Sequence, residues 1–255
     1  MKTKVINLVL IIIAGSASLF FLYGNSSDKV AVQPTSQPVS VAEPSPAPIA
    51  PITKTAVEET MPAMVLHDAP FTSQAPLGDW KDPRQQAGCE EAAAMIAMGW
   101  VRGETFTPAG AEKEIIAIAE WQLKNYGVYY DTSAKDTLDW ILKGYFNYSN
   151  ASLKYDIGVE DIKRELSNGN LVIAPMNGQT IGNPYYTAPG PLRHMIVFIG
   201  FDDNKREFIT NDPGTSRGKS FRYGYDRIAN SLQDYETGHD VPIRNHRSAM
   251  IVVSK

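Results

Sequence analysis

Apolar residues recur at helical spacing in the first half of the folded part of this chain and at strand spacing in the second half. After two glutamates, the segment from Cys89 to Arg102 is almost wholly apolar, which predicts a buried helix. Thr107 and Pro108 suit the N-cap and first position of the next helix, which has one apolar face. These criteria predict five helices: Cys89–Arg102, Thr107–Asn125, Ser133–Gly144, Val159–Leu166 and Tyr225–Gln233.

Strands are predicted where short apolar or β-branched runs are bounded by turn residues. Five runs meet this description: Val65–Ser73, Leu171–Pro175, Met195–Phe201, Glu207–Asn211 and Ala249–Val253. Because most of the helices precede most of the strands, we predict an α+β protein rather than a doubly wound α/β protein. We expect an N-terminal helical half to pack on a C-terminal antiparallel sheet.

The N-terminus has the pattern of a membrane segment. Lys2 and Lys4 precede an uncharged run from Val5 to Tyr23, close to the roughly 20 apolar residues that span a bilayer. We expect residues 1–24 to be a cytoplasmic start and a transmembrane signal anchor, which leaves the rest of the chain outside the cytoplasm. The alternative is a cleaved signal, which would make the protein secreted.

Composition divides the remainder and excludes several functions. Residues 25–63 are rich in Pro, Ser and Ala and predict a disordered linker, whereas residues 64–255 are long enough for one domain with a core. The net charge is -4 and no basic stripe is present, so no nucleic-acid surface is predicted. No Cys or His pair has the spacing of zinc ligands, and neither a metal nor a cofactor is expected.

The candidate chemistry begins at Cys89, the one cysteine of the chain, which therefore cannot form an internal disulfide. It stands at a predicted helix start, where the helix dipole favours a thiolate, although Glu90 and Glu91 oppose the thiolate unless they point elsewhere. His194 begins an apolar run about a hundred residues later, and Asp212 follows the next run. This order is found in papain-like cysteine hydrolases. The same residues also fit a buried structural cysteine, a core histidine and a routine turn.

The link between His194 and Asp212 depends on the turn between their two strands. A three-residue loop, Asp202–Asn204, places Asp212 directly opposite His194, within hydrogen-bond reach on the same face. A two-residue loop moves Asp212 to the other face and makes Asn211 the diagonal neighbour of the ring. We predict that Asp212 orients the imidazole, with Asn211 as the fallback.

Acyl transfer also needs hydrogen-bond donors for the oxyanion. The backbone N–H of Cys89 is one candidate, and an upstream glutamine is the usual side-chain donor in papain-like enzymes. Gln74, Gln85 and Gln86 are all available, and their spacing does not select one. The other histidines lack such partners and are predicted to be surface or packing residues: His67, His239 and His246.

Six blocks carry a family resemblance: 71–76, 78–80 and 88–92 upstream, and 194–197, 200–203 and 211–215 downstream. Together they resemble the peptidase C39-like family, relatives of the cysteine peptidases that cleave double-glycine leader peptides from bacteriocins. The resemblance covers about residue 65 to the C-terminus. It implies a papain-like α+β fold, a triad of Cys89, His194 and Asp212, and an oxyanion glutamine. The first strand of C39-like members typically ends in a glutamine, which favours Gln74.

Two departures from the leader-processing relatives matter. Those relatives place their glutamine six residues before the cysteine, where this chain has Pro83. They also usually belong to a transporter, whereas this chain has neither an ATPase motif nor more than one expected membrane span. Leader processing is therefore not inferred.

The predicted function is a membrane-anchored, extracytoplasmic cysteine peptidase of bacterial type, which hydrolyses peptide bonds through a thioacyl intermediate. Its expected partners are a peptide or protein substrate and, through the N-terminal helix, the lipid bilayer. Three alternatives stay open: an amidase or endopeptidase of cell-wall peptides, a catalytically silent binding module on a surface stalk, and a transpeptidase-like acyltransferase.

Overall fold

The structure, a computed structural model, describes residues 61–244 and 246–255. The predicted membrane anchor, residues 1–24, lies outside the described residues, as does the predicted linker, residues 25–63, apart from its last three residues. Of those three, Ala63 accepts a backbone hydrogen bond from Asp203, so the folded domain begins slightly before residue 64. In the described ranges, no helix has the length and apolar character needed to cross a membrane.

An antiparallel sheet forms the centre of the described domain. Its seven strands are β1 Met64–Leu66, β2 Ala151–Tyr155, β3 Leu171–Met176, β4 His194–Asp202, β5 Glu207–Asn211, β6 Phe221–Gly224 and β7 Ala249–Val253. The order across the sheet is β2-β7-β3-β4-β5-β6, and β1 pairs with the last residues of β4. Every residue of β3, β4 and β7 is buried, as expected for strands covered on both faces.

Helices lie on both faces of this sheet. They are α1 Pro83–Gln86, α2 Cys89–Arg102, α3 Pro108–Tyr126, α4 Ala134–Asp136 with a π-helical continuation Thr137–Tyr145, α5 Val159–Ser167, α6 Gly178–Ile181 and α7 Tyr225–Ser231. The helix α2 and the π-helix share one core with Ile173 and Val197 of the sheet. The helices α5, α6 and α7 share a second core with Val172 and Phe198, on the opposite face.

The predicted α+β class, with an antiparallel sheet and packed helices, is correct. The apolar side chains of α5, α6 and α7 cover the second face of the sheet. The first predicted strand is too long, because pairing with β4 ends at Leu66. The chain from there to Gln74 runs as an irregular segment toward the site, and the Gln74 N–H bonds to the carbonyl of Pro213.

Candidate active site

Cys89 is the first residue of α2, and the short helix α1 leads directly into it. Gly88 allows this tight corner, since a Cβ there would lie 2.8 Å from the carbonyl oxygen of Arg84. The Cys89 side chain is only 4% exposed, and it lines an open cavity of about 960 Å³. The start of α2 therefore places the thiol on the wall of a cavity large enough for part of a peptide.

The thiol donates its hydrogen bond to the neighbouring glutamate. Sγ of Cys89 lies 3.1 Å from Oε2 of Glu90, and Tyr235 donates to the other carboxylate oxygen at 2.7 Å. Glu90 thus points at the sulfur, which is the orientation that opposes a thiolate. Burial raises the pKa of the Cys89 thiol, and the charge of Glu90 raises that pKa further.

His194, the first residue of β4, lines the same cavity as Cys89. Its Nε2 lies 2.8 Å from Oδ1 of Asp212. Burial alone would raise the pKa of Asp212, but His194 and hydroxyl donors lower that pKa to about 2. An ionised carboxylate accepts only, so Nε2 of His194 carries the donated hydrogen and Nδ1 is left free.

A β-bulge produces this contact, and the predicted register is wrong. The turn between β4 and β5 has four residues, Asp203–Arg206, instead of three. A register shift between Phe198 and Gly200 follows. The observed turn pairs Asp202 with Glu207, which moves the position opposite His194 three residues beyond Asp212 along the chain, and the bulge moves it back by one. Asp212 therefore lies two residues from the position opposite His194. Side chains two residues apart on a strand lie on the same face of the sheet. The predicted contact between His194 and Asp212 therefore forms, although the strands pair in a different register.

Asp212 is held by donors from four other residues. Its Oδ1 also accepts the backbone N–H of Gly214 at 3.0 Å. Its Oδ2 accepts hydrogen bonds from Tyr223 at 2.5 Å, Tyr186 at 2.6 Å and Asn183 at 3.0 Å. These bonds fix the carboxylate behind the imidazole. These donors were not predicted, because Tyr223 lies on the missed strand β6 and Asn183 and Tyr186 lie in the loop between α6 and β4.

The fallback residue Asn211 does not orient the histidine. Its side-chain amide donates to the carbonyl oxygen of Pro70 at 2.9 Å, and its Oδ1 accepts the backbone N–H of Ser220 at 3.0 Å. Asn211 therefore fastens the irregular segment after β1 to the sheet.

The three candidate glutamines occupy different environments. Nε2 of Gln74 donates to the carbonyl oxygens of Gln85 at 3.0 Å and Gln86 at 2.7 Å, which uses both amide hydrogens. Gln74 and Gln86 line the cavity, whereas the side chain of Gln85 is buried away from it. In this conformation Gln74 ties the corner before Cys89 and has no free N–H for an oxyanion.

His239 has a partner that sequence reasoning missed. Its Nδ1 lies 2.9 Å from Oδ2 of Asp131, and both residues line the cavity. Arg193 approaches the same carboxylate at 3.9 Å, and its guanidinium also donates to the carbonyl oxygens of His239 and Val241. The segment that carries His239 is therefore tied to the start of β4. Of the four tryptophans, Trp80 lines the cavity.

Glu91 faces away from the cavity. Gln122 donates to its Oε1 at 2.6 Å, while Oε2 of Glu91 and Oε1 of Gln122 are both buried without a partner. Burial and the charge of Glu90 raise the pKa of Glu91 well above its usual value. Burial therefore favours the neutral form of Glu91.

Over the described ranges, no group of three or more His, Cys, Asp and Glu side chains is arranged to hold a metal ion. The arrangement consists instead of a buried thiol, an imidazole oriented by a carboxylate, and a cavity that Cys89 and His194 share. These groups are the ones that nucleophilic acyl transfer requires.

Comparisons with known proteins agree with this chemistry. A model of the Peptidase C39 like family matches residues 66–242. No curated protein matches the chain. A protein described as a C39-like peptidase from Bacillus anthracis shows 14% identity over 75% of this chain and 98% of its own, with a TM-score of 0.46. Xylellain, a cysteine protease from Xylella fastidiosa, shows 16% identity over 77% of this chain and 87% of its own, with a TM-score of 0.33. At these TM-scores the two structural similarities do not support the family assignment, which rests on the family match over residues 66–242.

Proposed function

The chain belongs to the peptidase C39-like family and is a cysteine peptidase, and on that premise we propose that Cys89, His194 and Asp212 are its catalytic triad. Cys89 attacks the carbonyl carbon of a peptide bond while Nδ1 of His194 takes the thiol proton. The imidazolium then gives that proton to the leaving amine, and a thioacyl enzyme remains. Water activated by His194 hydrolyses the thioester and restores the thiol.

The observation that carries this proposal is the His194–Asp212 hydrogen bond at 2.8 Å. It occupies Nε2 and so leaves Nδ1 as the nitrogen that can exchange a proton with the thiol. Cys89 and His194 line one cavity, which supports their joint action on a single substrate. The thiol hydrogen bond is directed to Glu90 instead, so catalysis requires the thiol hydrogen to turn from Glu90 toward His194.

For the oxyanion we propose the backbone N–H of Cys89 and the side chain of Gln74. The first N–H groups of a helix have no partner within the helix, so the N–H of Cys89 is a suitable donor. Gln74 lines the cavity, but it must release the carbonyl of Gln85 or Gln86 when substrate binds. Because this release breaks a hydrogen bond, the role of Gln74 is tested separately from that of the triad.

Substitution of Cys89 by alanine tests the nucleophile. We expect Cys89→Ala to lower hydrolysis of unfolded casein by at least about 1,000-fold, because the thioacyl intermediate cannot form. Thermal unfolding of the variant, followed by circular dichroism, checks that the fold survives. The same pair of proteins incubated with purified peptidoglycan separates general peptidase activity from cell-wall amidase or endopeptidase activity. Casein hydrolysis by Cys89→Ala at the wild-type rate would contradict the proposal.

We also propose that residues 1–24 anchor the enzyme in the cell membrane as a single span, with the peptidase domain on the extracytoplasmic side. The support is the uncharged run from Val5 to Tyr23 behind Lys2 and Lys4. We expect the full chain to sediment with membranes and to be degraded by protease added outside intact cells. Recovery in the cytosol would contradict the anchor, whereas recovery in the medium would indicate that the segment is a cleaved signal.

A further inference from the structure

Glu90 is a buried carboxylate in direct contact with the nucleophile. It is the second residue of α2, and its side chain is 1% exposed. It accepts hydrogen bonds from Sγ of Cys89 at 3.1 Å and from the Tyr235 hydroxyl at 2.7 Å. No other residue in the described ranges bonds to it, and no cation lies within ion-pair distance. A buried anion with no cation beside it has a strong tendency to take up a proton.

The titratable groups around Glu90 act on this tendency in both directions. Asp131, on the segment between α3 and α4, adds negative charge, which Arg193 at 3.9 Å partly offsets, and His239 contacts the same carboxylate. Glu91 lies next along α2, and the Tyr235 hydroxyl opposes protonation by donating to the carboxylate. Burial, followed by the charge of Asp131, raises the pKa of Glu90 to about 7. Its charge therefore changes near neutral pH.

We propose that Glu90 sets the reactivity of Cys89, holding the thiol protonated when the carboxylate is ionised and releasing it when the carboxylate is neutral. This inference rests on the proposed role of Cys89 as nucleophile. Transfer of the thiol proton to Nδ1 of His194 turns a neutral pair into a thiolate and an imidazolium. With Glu90 ionised, the transfer places two anions in contact. With Glu90 neutral, its O–H donates to the thiolate sulfur and stabilises it.

This proposal predicts an unusual dependence of Cys89 alkylation on pH. Proton transfer within the Cys89–His194 pair neither takes up nor releases a proton, so its equilibrium does not change with pH by itself. Ionisation of Glu90 as the pH rises through about 7 shifts the equilibrium back toward the thiol. Alkylation of Cys89 should therefore slow between pH 6 and pH 8, whereas an ordinary thiol, with a pKa of about 8.5, reacts faster as the pH rises.

The test is the rate of Cys89 alkylation by iodoacetamide from pH 5 to pH 9, measured by intact mass on the full chain. Glu90→Gln keeps the size of the side chain and resembles the neutral acid. We expect this variant to lose the decline above pH 7 and to react about tenfold faster than wild type at pH 8, because a like charge in contact shifts a pKa by a unit or more. A wild-type decline that persists unchanged in Glu90→Gln would overturn the proposal.

Two further variants make the result specific. Glu91→Gln changes the adjacent buried glutamate, which does not contact the sulfur, and should keep the wild-type profile. Tyr235→Phe removes the donor that lowers the pKa of Glu90, so the decline should move to higher pH. If Glu90→Gln does not fold, the Tyr235→Phe shift decides, and an unshifted decline rejects the role of Glu90. Alkylation needs no substrate, so this outcome is separable from casein hydrolysis by Cys89→Ala.

Discussion

Gln74 illustrates how one side chain can serve both the fold and the site. Its amide nitrogen ties together the carbonyls of Gln85 and Gln86, in the corner that delivers Cys89 to the cavity. The same amide lies on the cavity wall. Removing it should therefore affect both stability and turnover, and the two effects can be measured independently.

For Gln74→Ala we predict a free energy of unfolding lower by about 1–3 kcal/mol, because the buried carbonyl of Gln85 and the partly buried carbonyl of Gln86 lose their donor. We also predict a kcat lower by about 100-fold, because one oxyanion donor is missing. Urea unfolding and casein hydrolysis measure the two quantities. Gln86→Ala is the matched control on the same cavity and should keep both near wild type. A large loss of kcat in Gln86→Ala alone would transfer the oxyanion role to Gln86.

Residue identities were easier to predict than side-chain directions. Cys89, His194 and Asp212 each stand beside a clear element boundary, so their order along the chain carried information. The direction in which the Glu90 side chain points could not be predicted in this way, because it depends on Tyr235, which is 145 residues away in sequence. The partner of His239 was missed for the same reason, since Asp131 lies 108 residues before it.

At the scale of elements, burial decided what could be predicted. The bounds of α2, β5 and β7 agree with the predictions because their apolar runs are buried and end at clear turn or capping residues. The strands β2 and β6 were missed. Both lie at edges of the sheet and have several exposed positions, which weakens the apolar signal.

The bulge in β4 could not be derived from alternation along one strand. It lies next to Gly200, whose backbone packs so closely on β1 that a Cβ would lie 2.2 Å from the carbonyl oxygen of Val65. Pairing with both β1 and β5 therefore constrains this part of β4, and such pairing is a tertiary effect. The His194–Asp212 contact was predicted because an even displacement preserves the face, although the assumed loop length was wrong.

At the scale of the whole molecule, the site lies where separate parts of the chain meet. The N-terminus of α2 supplies the thiol, the start of β4 supplies the imidazole, and the segment after β5 supplies the carboxylate. The segment that carries His239 is fastened to Arg193 and forms a further wall of the cavity. Sequence reasoning predicted the first three parts, but it could not predict a wall that depends on contacts between distant loops.

The most direct test of the account is the rate at which a peptidyl acyloxymethyl ketone modifies Cys89 in wild type and in His194→Ala. Because the chain has one cysteine, intact mass and a single tryptic peptide locate the adduct. The proposed triad predicts one adduct on Cys89 in wild type and modification slower by about 100-fold or more in His194→Ala. Equal rates in the two proteins, or an adduct on another residue, would contradict it.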